Sequence, residues 1–228
     1  MKNKILITGG AGFIGSNLAN KLSLDDNNEV YCLDNYFTGN VNLLSSNIKH
    51  IPGSTKNIFK LVNFRPDIVY HLGEYSRIST SFEDIDTVWN YNVNGTYQVI
   101  KFCKEKKCKL IYAGSSSKFG NSGEDENLSP YSWIKAKNVE LIKNFNKWFG
   151  LEYAIVYFYN VYGPGQLSNG KYATVIGIFE EQLKNNKPIT VVKPGTQKRY
   201  FTHINDSVDG LIAVGQNGNG DGYCLSDD

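Results

Sequence analysis

Short apolar runs alternate with segments in which apolar residues recur every three to four positions, up to about residue 158. The runs predict strands and the recurring positions predict helices. The predicted strands lie near residues 4–8, 29–33, 67–72, 109–113 and 151–158, and the predicted helices near 13–22, 56–62, 85–104 and 132–148. Because alternating strands and helices form right-handed βαβ units, we predict an α/β fold with a doubly wound parallel sheet of the Rossmann type.

Three glycines, Gly9, Gly12 and Gly15, follow the first predicted strand directly. Gly9 permits a tight turn, Gly12 lets the backbone approach a pyrophosphate, and Gly15 lets the next helix pack closely against the strand. Phe13 and Ile14 begin that helix, whose N-terminus presents unpaired N–H groups to phosphates. This spacing is typical of a dinucleotide-binding turn, and a purely structural turn is the alternative.

The second predicted strand ends in Asp34, nineteen positions after Gly15. A carboxylate at this point can accept hydrogen bonds from a ribose diol, and it would repel the 2′-phosphate of NADP. Asp34 therefore indicates NAD as the cofactor. A helix cap or turn cap is the alternative interpretation of the same residue.

The pattern changes after residue 160. Turn-forming glycines precede a predicted helix near 175–184, predicted strands near 189–192 and 200–204, and a helix near 208–214. We therefore expect residues 1–160 to form the NAD-binding Rossmann domain. Residues 161–228 would form a partial substrate-binding region, interleaved with the sheet by segment 189–206.

Composition excludes some classes of partner. The 228-residue chain has a net charge of +2 and 41% hydrophobic residues, so it gives no reason to propose nucleic acid or a membrane as a partner. It contains no apolar run long enough to span a bilayer. Its four cysteines lack metal-ligand spacing, so we expect reduced thiols in a cytoplasmic protein without a bound metal. A metal site is the alternative for the cysteines.

Three polar side chains predict chemistry on a hydroxyl group. Tyr131 and Lys135 lie four positions apart at the start of a predicted helix and share one face, and Ser115 follows the preceding strand. The pKa of a tyrosine phenol is ordinarily about 10, and a nearby ammonium group favours the phenolate. Tyr131 could then take a proton from a sugar hydroxyl while Ser115 binds the same oxygen. The alternative is an exposed Tyr–Lys pair on an amphipathic helix.

Several motifs, together with Ser115, resemble the extended short-chain dehydrogenase/reductases, and specifically the NAD-dependent nucleotide-sugar epimerase/dehydratase family. The motifs are TGGAGFIG at 8–15, YHLG at 70–73, NVNGT at 92–96, YSWIK at 131–135, NVYGP at 160–164 and RYFTHIND at 199–206. The resemblance implies bound NAD, a nucleoside-diphosphate sugar substrate and transient oxidation at sugar C4. It also implies a homodimer that packs through the two long helices.

The resemblance implies roles for individual positions. Ser115, Tyr131 and Lys135 would be catalytic, and Asn92 would support the lysine through water. Besides Tyr131 and Lys135, the expected cofactor contacts are Gly9, Gly12, Phe13, Ile14, Gly15, Asp34, Asn35, Ser54, Leu72, Gly73 and Phe158. The expected substrate contacts are Glu74, Arg77, Ser115, Ser116, Asn160 and Arg199.

Departures from the family pattern bear on the reaction. The 4,6-dehydratases similar to this chain usually carry an Asp-Glu pair directly after the catalytic Ser or Thr, where this chain has Ser116 and Ser117. Because a serine cannot easily remove a C–H proton, we favour 4-epimerisation and keep 4,6-dehydration as the alternative. Ser54 stands where the family often has an aspartate that contacts adenine.

Glu74 stands where family members usually have a small residue. It could act as a relocated acid or base, form a salt bridge to Arg77, or cap a loop. Relatives also continue beyond the position of Asp228, which keeps a third hypothesis open, a non-catalytic NAD-binding or truncated protein. The complete set of Ser115, Tyr131 and Lys135 speaks against that hypothesis.

Overall fold

The computed structural model describes residues 2–116, 127–191, 193–196 and 198–226. Its strands are β1 (Asn3–Thr8), β2 (Asn28–Asp34), β3 (Lys49–Pro52), β4 (Ile68–His71), β5 (Lys109–Ser115), β6 (Tyr153–Phe158), β7 (Val161–Tyr162), β8 (Thr202–His203) and β9 (Gly220–Leu225). Within the described residues, seven of these strands form one parallel sheet in the order β3-β2-β1-β4-β5-β6-β9. The predicted Rossmann-type α/β fold is confirmed.

Helices connect these strands on both faces of the sheet. They are α1 (Phe13–Leu22), α2 (Ile58–Leu61), α3 (Ile85–Val88), α4 (Thr96–Lys106), α5 (Pro130–Phe149), α6 (Val175–Lys184) and α7 (Ile204–Asn217). The single helix predicted over 85–104 is continuous, but a π-helical segment, Trp89–Gly95, joins α3 to α4. Such segments are rare and often occur at functional sites.

The core has two layers because side chains alternate across each strand. On β1, Ile5 and Ile7 pack in a cluster with side chains of α1 and α7. Leu6, between them, packs in the opposite cluster with side chains of α2, α4 and α5. Both faces of the sheet are therefore buried, as a near-continuous apolar strand predicts.

The C-terminal region joins the sheet differently from the sequence-based expectation. The strand predicted near 189–192 is wrong over residues 189–191, where Ile189 and Val191 are exposed and no described strand pairs with them, and residue 192 lies outside the described residues. The strand predicted over 200–204 shortens to β8, which pairs with β7 outside the main sheet. Interleaving comes instead from α7 and β9, since β9 pairs with β6. The domain division at residue 160 stays a prediction.

Among the described residues, no helix combines the length and the apolar character that crossing a bilayer requires. These residues also contain no group of three or more His, Cys, Asp or Glu side chains arranged to hold a metal ion.

Candidate active site

The turn between β1 and α1 is closed by backbone contacts that leave no room for side chains. Gly9 has a φ of +67°, and a Cβ atom there would lie 2.7 Å from the Cα of Gly73. A Cβ atom at Gly15 would overlap the carbonyl oxygen of Gly9. Gly12 is the N-cap of α1, and no described side chain caps this helix. Its first N–H groups therefore remain available to an anion, so the turn fits a pyrophosphate.

Asp34 lies at the carboxyl end of β2, and its side chain is fixed beside the glycine turn. Its Oδ2 accepts a hydrogen bond from the N–H of Ala11 at 2.9 Å, and its Oδ1 accepts one from the N–H of Tyr36 at 2.7 Å. Each carboxylate oxygen has a further lone pair for a ribose hydroxyl. The turn cap considered as the alternative is therefore present, and it orients the carboxylate for the predicted contact.

We expect Asp34→Ala to weaken NAD binding tenfold to about a hundredfold, since hydrogen bonds to a charged group are lost. NADP binding should weaken less, because the repulsion of its 2′-phosphate is lost as well. Calorimetric titration of both cofactors into wild-type protein and Asp34→Ala measures the two ratios. Equal weakening of NAD and NADP would contradict the ribose-binding role of Asp34.

The other predicted cofactor residues lie at the same edge of the sheet. Asn35 follows β2, Ser54 follows β3, Leu72 and Gly73 follow β4, Phe158 ends β6, and Phe13 and Ile14 begin α1. Dinucleotides bind at the carboxyl edge of parallel sheets, so these positions suit the predicted contacts. The Oγ of Ser54 accepts a hydrogen bond from the N–H of Lys56 at 3.3 Å, which caps a short 3₁₀ turn. The individual contacts stay predictions.

The start of α5 is fixed by its own sequence. The Ser129 hydroxyl accepts a hydrogen bond from the N–H of Ser132 at 3.0 Å, and Pro130 occupies the first helical position. Tyr131 and Lys135 follow on one face of the first two turns. Tyr131 is partly buried, so it does not belong to the exposed pair that we considered as the alternative.

The side chain of Lys135 is buried against the end of β5. Its Nζ donates to the carbonyl oxygen of Ala113 and lies 4.5 Å from the ring centre of Tyr112. Ser115, at the end of the same strand, lies in register with Phe158 on β6. The structure therefore brings the predicted catalytic lysine to the strand that ends in the predicted catalytic serine.

Glu74 forms a buried ion pair with Lys135, and both side chains are at most 5% exposed. The alternative of a salt bridge from Glu74 to Arg77 is wrong. The guanidinium of Arg77 donates instead to the carbonyl oxygen of Tyr172, at 2.9 Å from its Nε, and to that of Ser76. Sequence reasoning missed the Glu74–Lys135 pair because 61 positions separate the two residues.

A chain of hydrogen bonds connects Glu74 to the glycine turn. Thr96 Oγ1 lies 2.9 Å from Glu74 Oε1, and because an ionised carboxylate only accepts, the threonine hydroxyl must donate. His71 Nε2, at 2.9 Å from the same hydroxyl, is then the donor, and His71 Nδ1 accepts from Thr8 Oγ1 at 2.7 Å. Thr8 Oγ1 in turn accepts from the N–H of Gly73 at 3.2 Å. These bonds fix the histidine tautomer.

Burial lowers the pKa of His71 to about 4 from its usual 6.5; the Glu74 carboxylate opposes this shift and the Lys135 ammonium adds to it. Between these two pH values the unfolded chain binds the proton more readily than the folded protein does. We therefore expect the free energy of unfolding to fall by roughly 2 kcal/mol between pH 6.5 and pH 5. Urea unfolding at both pH values measures this fall. His50→Gln, at an exposed histidine, should keep it, and His71→Gln should remove it. A fall that persists in His71→Gln would contradict the assignment.

Asn92 was predicted as a site residue and Asn138 was not, yet the two are hydrogen-bonded to each other. Asn92, in the π-helical segment, was predicted to support Lys135, and its side chain pairs with the backbone of Tyr75 at 2.7 and 2.9 Å. The backbone carbonyl oxygen of Asn92 accepts a hydrogen bond from Asn138 Nδ2 at 2.7 Å. The same Nδ2 of Asn138 lies 3.1 Å from Glu74 Oε1. The described link from Asn92 to Lys135 thus runs through Asn138 and Glu74, and the link through water stays a prediction.

Sequence reasoning missed Asn138, although a signal was present. It lies three positions after Lys135 and seven after Tyr131, so helical spacing places all three on one face. Tyr112 and Thr96 carried no comparable signal, because their roles depend on contacts between distant segments.

The predicted substrate residues lie around the same edge, but contacts between them are few. Ser116 directly follows β5 and is partly buried, and Ser117 lies outside the described residues. Asn160 has a positive φ of 37°, and its Nδ2 donates to the carbonyl oxygen of Tyr200 at 2.7 Å. Arg199 is exposed, and its Nη1 donates to the carbonyl oxygen of Lys198. Their substrate contacts stay predictions.

Comparison with known proteins decides the family. The model of the NAD dependent epimerase/dehydratase family matches residues 5–223. The chain belongs to this family. The family predicted from the sequence is confirmed, as are an NAD-dependent enzyme and NAD as its cofactor.

Relatives in the NAD dependent epimerase/dehydratase family carry several activities. The chain is 35% identical to a putative UDP-glucose 4-epimerase of Methanocaldococcus jannaschii, covering 89% of this chain and 70% of the relative. It is 32% identical to UDP-glucuronic acid decarboxylase 3 of Arabidopsis thaliana, covering 92% and 66%. A crystal structure of Thermotoga maritima UDP-glucose 4-epimerase with UDP-glucose superimposes with a TM-score of 0.90 at 25% identity, covering 98% of this chain and 76% of the other.

Proposed function

We propose that this protein is an NAD-dependent nucleotide-sugar 4-epimerase. The observation that carries the proposal is the position of Ser115, Tyr131 and Lys135 at the same sheet edge as a glycine turn that fits a pyrophosphate. A site of this kind suits reversible oxidation of a hydroxyl group on a ligand that spans the sheet edge.

Each catalytic side chain has one task in this proposal. The Tyr131 phenolate takes the proton of the C4 hydroxyl as the C4–O double bond forms, and Ser115 donates a hydrogen bond to that oxygen. Lys135 stabilises the phenolate through its charge. NAD, held by the glycine turn and Asp34, would supply reversible hydride transfer at C4. Tyr131 returns the proton to the oxygen when hydride arrives on the opposite face, so the product differs from the substrate only at C4.

The surroundings of Glu74 support epimerisation over dehydration. Dehydration needs a base that removes the C5 proton, and Glu74 was the residue that could have replaced the missing acidic pair. Its carboxylate is buried and receives hydrogen bonds from Lys135, Thr96, Tyr112 and Asn138. A carboxylate engaged by four donors is not free to reach a substrate carbon. The 4,6-dehydratase alternative therefore has no candidate base among the described residues that we assign to the site.

Nuclear magnetic resonance of the reaction in D₂O tests the proposal. Purified protein and NAD would be incubated with UDP-, GDP-, dTDP- and CDP-linked hexoses and with UDP-glucuronic acid. Inversion at C4 without deuterium in the carbon skeleton is the expected result. A 4-keto-6-deoxy product with deuterium at C5 would show a dehydratase, and a pentose would show a decarboxylase. No change in any sugar, with NAD still bound, would favour the non-catalytic hypothesis.

We also infer a homodimer from apolar side chains on the surface. Trp89, in the π-helical segment, and Trp133, on α5, are 46% and 41% exposed. They line a cavity of about 230 Å³ together with Phe82 and Ile85. Exposed patches of this kind often mark protein interfaces, and a second copy can cover the same patch on both subunits by twofold symmetry.

If this face forms the dimer interface, Trp133→Glu should shift the protein from dimer to monomer at micromolar concentration, because a charge would be buried against apolar side chains. Light scattering after size exclusion measures the mass of each species. Leu183→Glu, on α6, is the matched control and should stay dimeric. A dimeric Trp133→Glu variant, or a monomeric wild type, would contradict the assignment.

A cytoplasmic location is part of the proposal. Cys32, Cys103 and Cys108 are buried free thiols, and Cys224 is an exposed one. Unpaired cysteines are usual in proteins of a reducing compartment.

A further inference from the structure

Lys135 is held at three points within the site. Its ammonium pairs with Glu74 Oε2, donates to the carbonyl oxygen of Ala113 and lies over the ring of Tyr112. An ammonium has three protons, and these contacts use two of them. One proton therefore remains for a bound ligand or for the phenol of Tyr131, one helical turn away.

Glu74 is fixed as firmly as the lysine it binds. Its Oε1 accepts from Thr96 Oγ1 at 2.9 Å, Tyr112 OH at 3.1 Å and Asn138 Nδ2 at 3.1 Å. Three elements supply these donors, namely the start of α4, strand β5 and helix α5. A carboxylate held from three sides cannot follow Lys135 if the lysine moves, so it defines where the ammonium lies.

We propose that Glu74 is a positioning residue that locks Lys135 beside Tyr131 and offsets the charge of its ammonium. The site then reaches its working ionisation at a higher pH than an unpaired lysine would give. This inference rests on the proposed role of Tyr131 as the base. It assigns to Glu74 none of the three functions considered from the sequence, since the described contacts of the carboxylate are with Lys135, Thr96, Tyr112 and Asn138.

The direction of the effect follows from the charged and titratable groups around Tyr131 and Lys135. Arg77, from the segment after β4, and Tyr112, from β5, interact electrostatically with Tyr131, and Glu74 forms the ion pair with Lys135 on the same helix. Tyr75 interacts with Arg77, and His71 interacts with Glu74 and Lys135. His71 is neutral at pH 7 because burial lowers its pKa to about 4. Glu74 is therefore the one anion in this set, and its removal leaves Lys135 and Arg77 to stabilise the phenolate.

The test needs no substrate. Tyrosinate absorbance is recorded against pH for wild type and Glu74→Gln, each with and without Tyr131→Phe, and the difference within each pair isolates the phenol of Tyr131. We expect this phenol to ionise at a pH lower by about one unit or more in Glu74→Gln, a tenfold or greater change in proton affinity. Glu83→Gln, at a carboxylate that pairs with Lys171 on the surface, is the matched control and should match the wild type.

Coincident titration of wild type and Glu74→Gln would overturn the proposal, whether or not the protein turns over a sugar. If Glu74→Gln does not fold, by circular dichroism, Glu74→Ala replaces it, because water can then enter beside Lys135. Failure of both variants to fold would also overturn the proposal, since the ion pair would then be a requirement for folding. Once a substrate is known, we expect the same downward shift in the pH midpoint of turnover in Glu74→Gln. If the tyrosinate titration shifts but the pH midpoint of turnover does not, the result counts against Tyr131 as the base.

Discussion

Tyr131→Phe is expected to lower turnover about a thousandfold while leaving NAD bound. The substitution removes the single oxygen that we propose takes the proton from sugar C4, and loss of a positioned acid or base typically costs a factor of this size. The ring remains, so packing at the start of α5 and the glycine turn at the other end of the cofactor should be unchanged. The measurement is the rate of sugar conversion under saturating NAD, beside a calorimetric titration of NAD.

Tyr97→Phe is the matched control for this experiment. Tyr97 lies on α4 and is exposed, and its ring packs edge-on against Phe145 at 6.4 Å, so its hydroxyl group has no place in the proposed chemistry. This variant should turn over sugar at the wild-type rate. Wild-type turnover in Tyr131→Phe would exclude the phenol as the base, and the site would then need another proton acceptor.

The glycine turn could be predicted from the sequence because it depends on neighbouring residues. A strand, a turn and the start of a helix follow one another within the first fifteen positions, and the absence of a side chain at each glycine is visible in the sequence itself. Asp34 could be placed at the same edge for a related reason, since the carboxyl ends of parallel strands lie together. Local pattern and fold topology were sufficient for both.

The Glu74–Lys135 pair depends on a different kind of information. Strand order predicts that the ends of β4 and β5 are neighbours, but it does not say which side chains turn inward. Glu74 turns toward Lys135 because Thr96, Tyr112 and Asn138 supply donors there, and these three residues come from segments far apart in the sequence. The strand predicted over 189–191 was wrong for the same reason. A strand needs a neighbouring strand to pair with, and the periodicity of apolar residues does not reveal whether one is present.

The hydrogen bonds of the site also connect the turn that we assign to the cofactor with the lysine that we assign to catalysis. Gly73 touches Gly9 in the cofactor turn, and the bonds through Thr8, His71 and Thr96 reach Glu74 and then Lys135. These hydrogen bonds require a neutral His71. Stability should fall below pH 6.5, because the unfolded chain takes up the proton, whereas the folded protein should keep the tautomer and the position of Lys135 until the pH approaches the His71 pKa of about 4.

Gly15→Ala is expected to reduce NAD affinity at least a hundredfold and to lower stability by roughly 3 kcal/mol, at the upper end of the usual cost of overpacking. The added Cβ atom would overlap the carbonyl oxygen of Gly9 and lie 2.8 Å from the Cα of Gly10. Both neighbours are backbone atoms, so the helix must move away from the strand. That movement displaces the N–H groups at its N-terminus that we assign to the pyrophosphate.

Two further glycine variants separate stability from cofactor binding. Gly150→Ala, at the C-cap of α5, places a side chain at a φ of +69° with nothing within 4 Å, so it should cost about 1–2 kcal/mol of stability and leave NAD affinity unchanged. Gly12→Ala brings a Cβ atom to 3.2 Å from the Gly9 carbonyl oxygen, a contact that a small shift relieves, so it should fold and bind NAD more weakly. Urea unfolding and calorimetric titration of all three variants give the comparison. If Gly15→Ala matches Gly150→Ala in NAD affinity, the close approach of α1 to the turn is not what binds the cofactor.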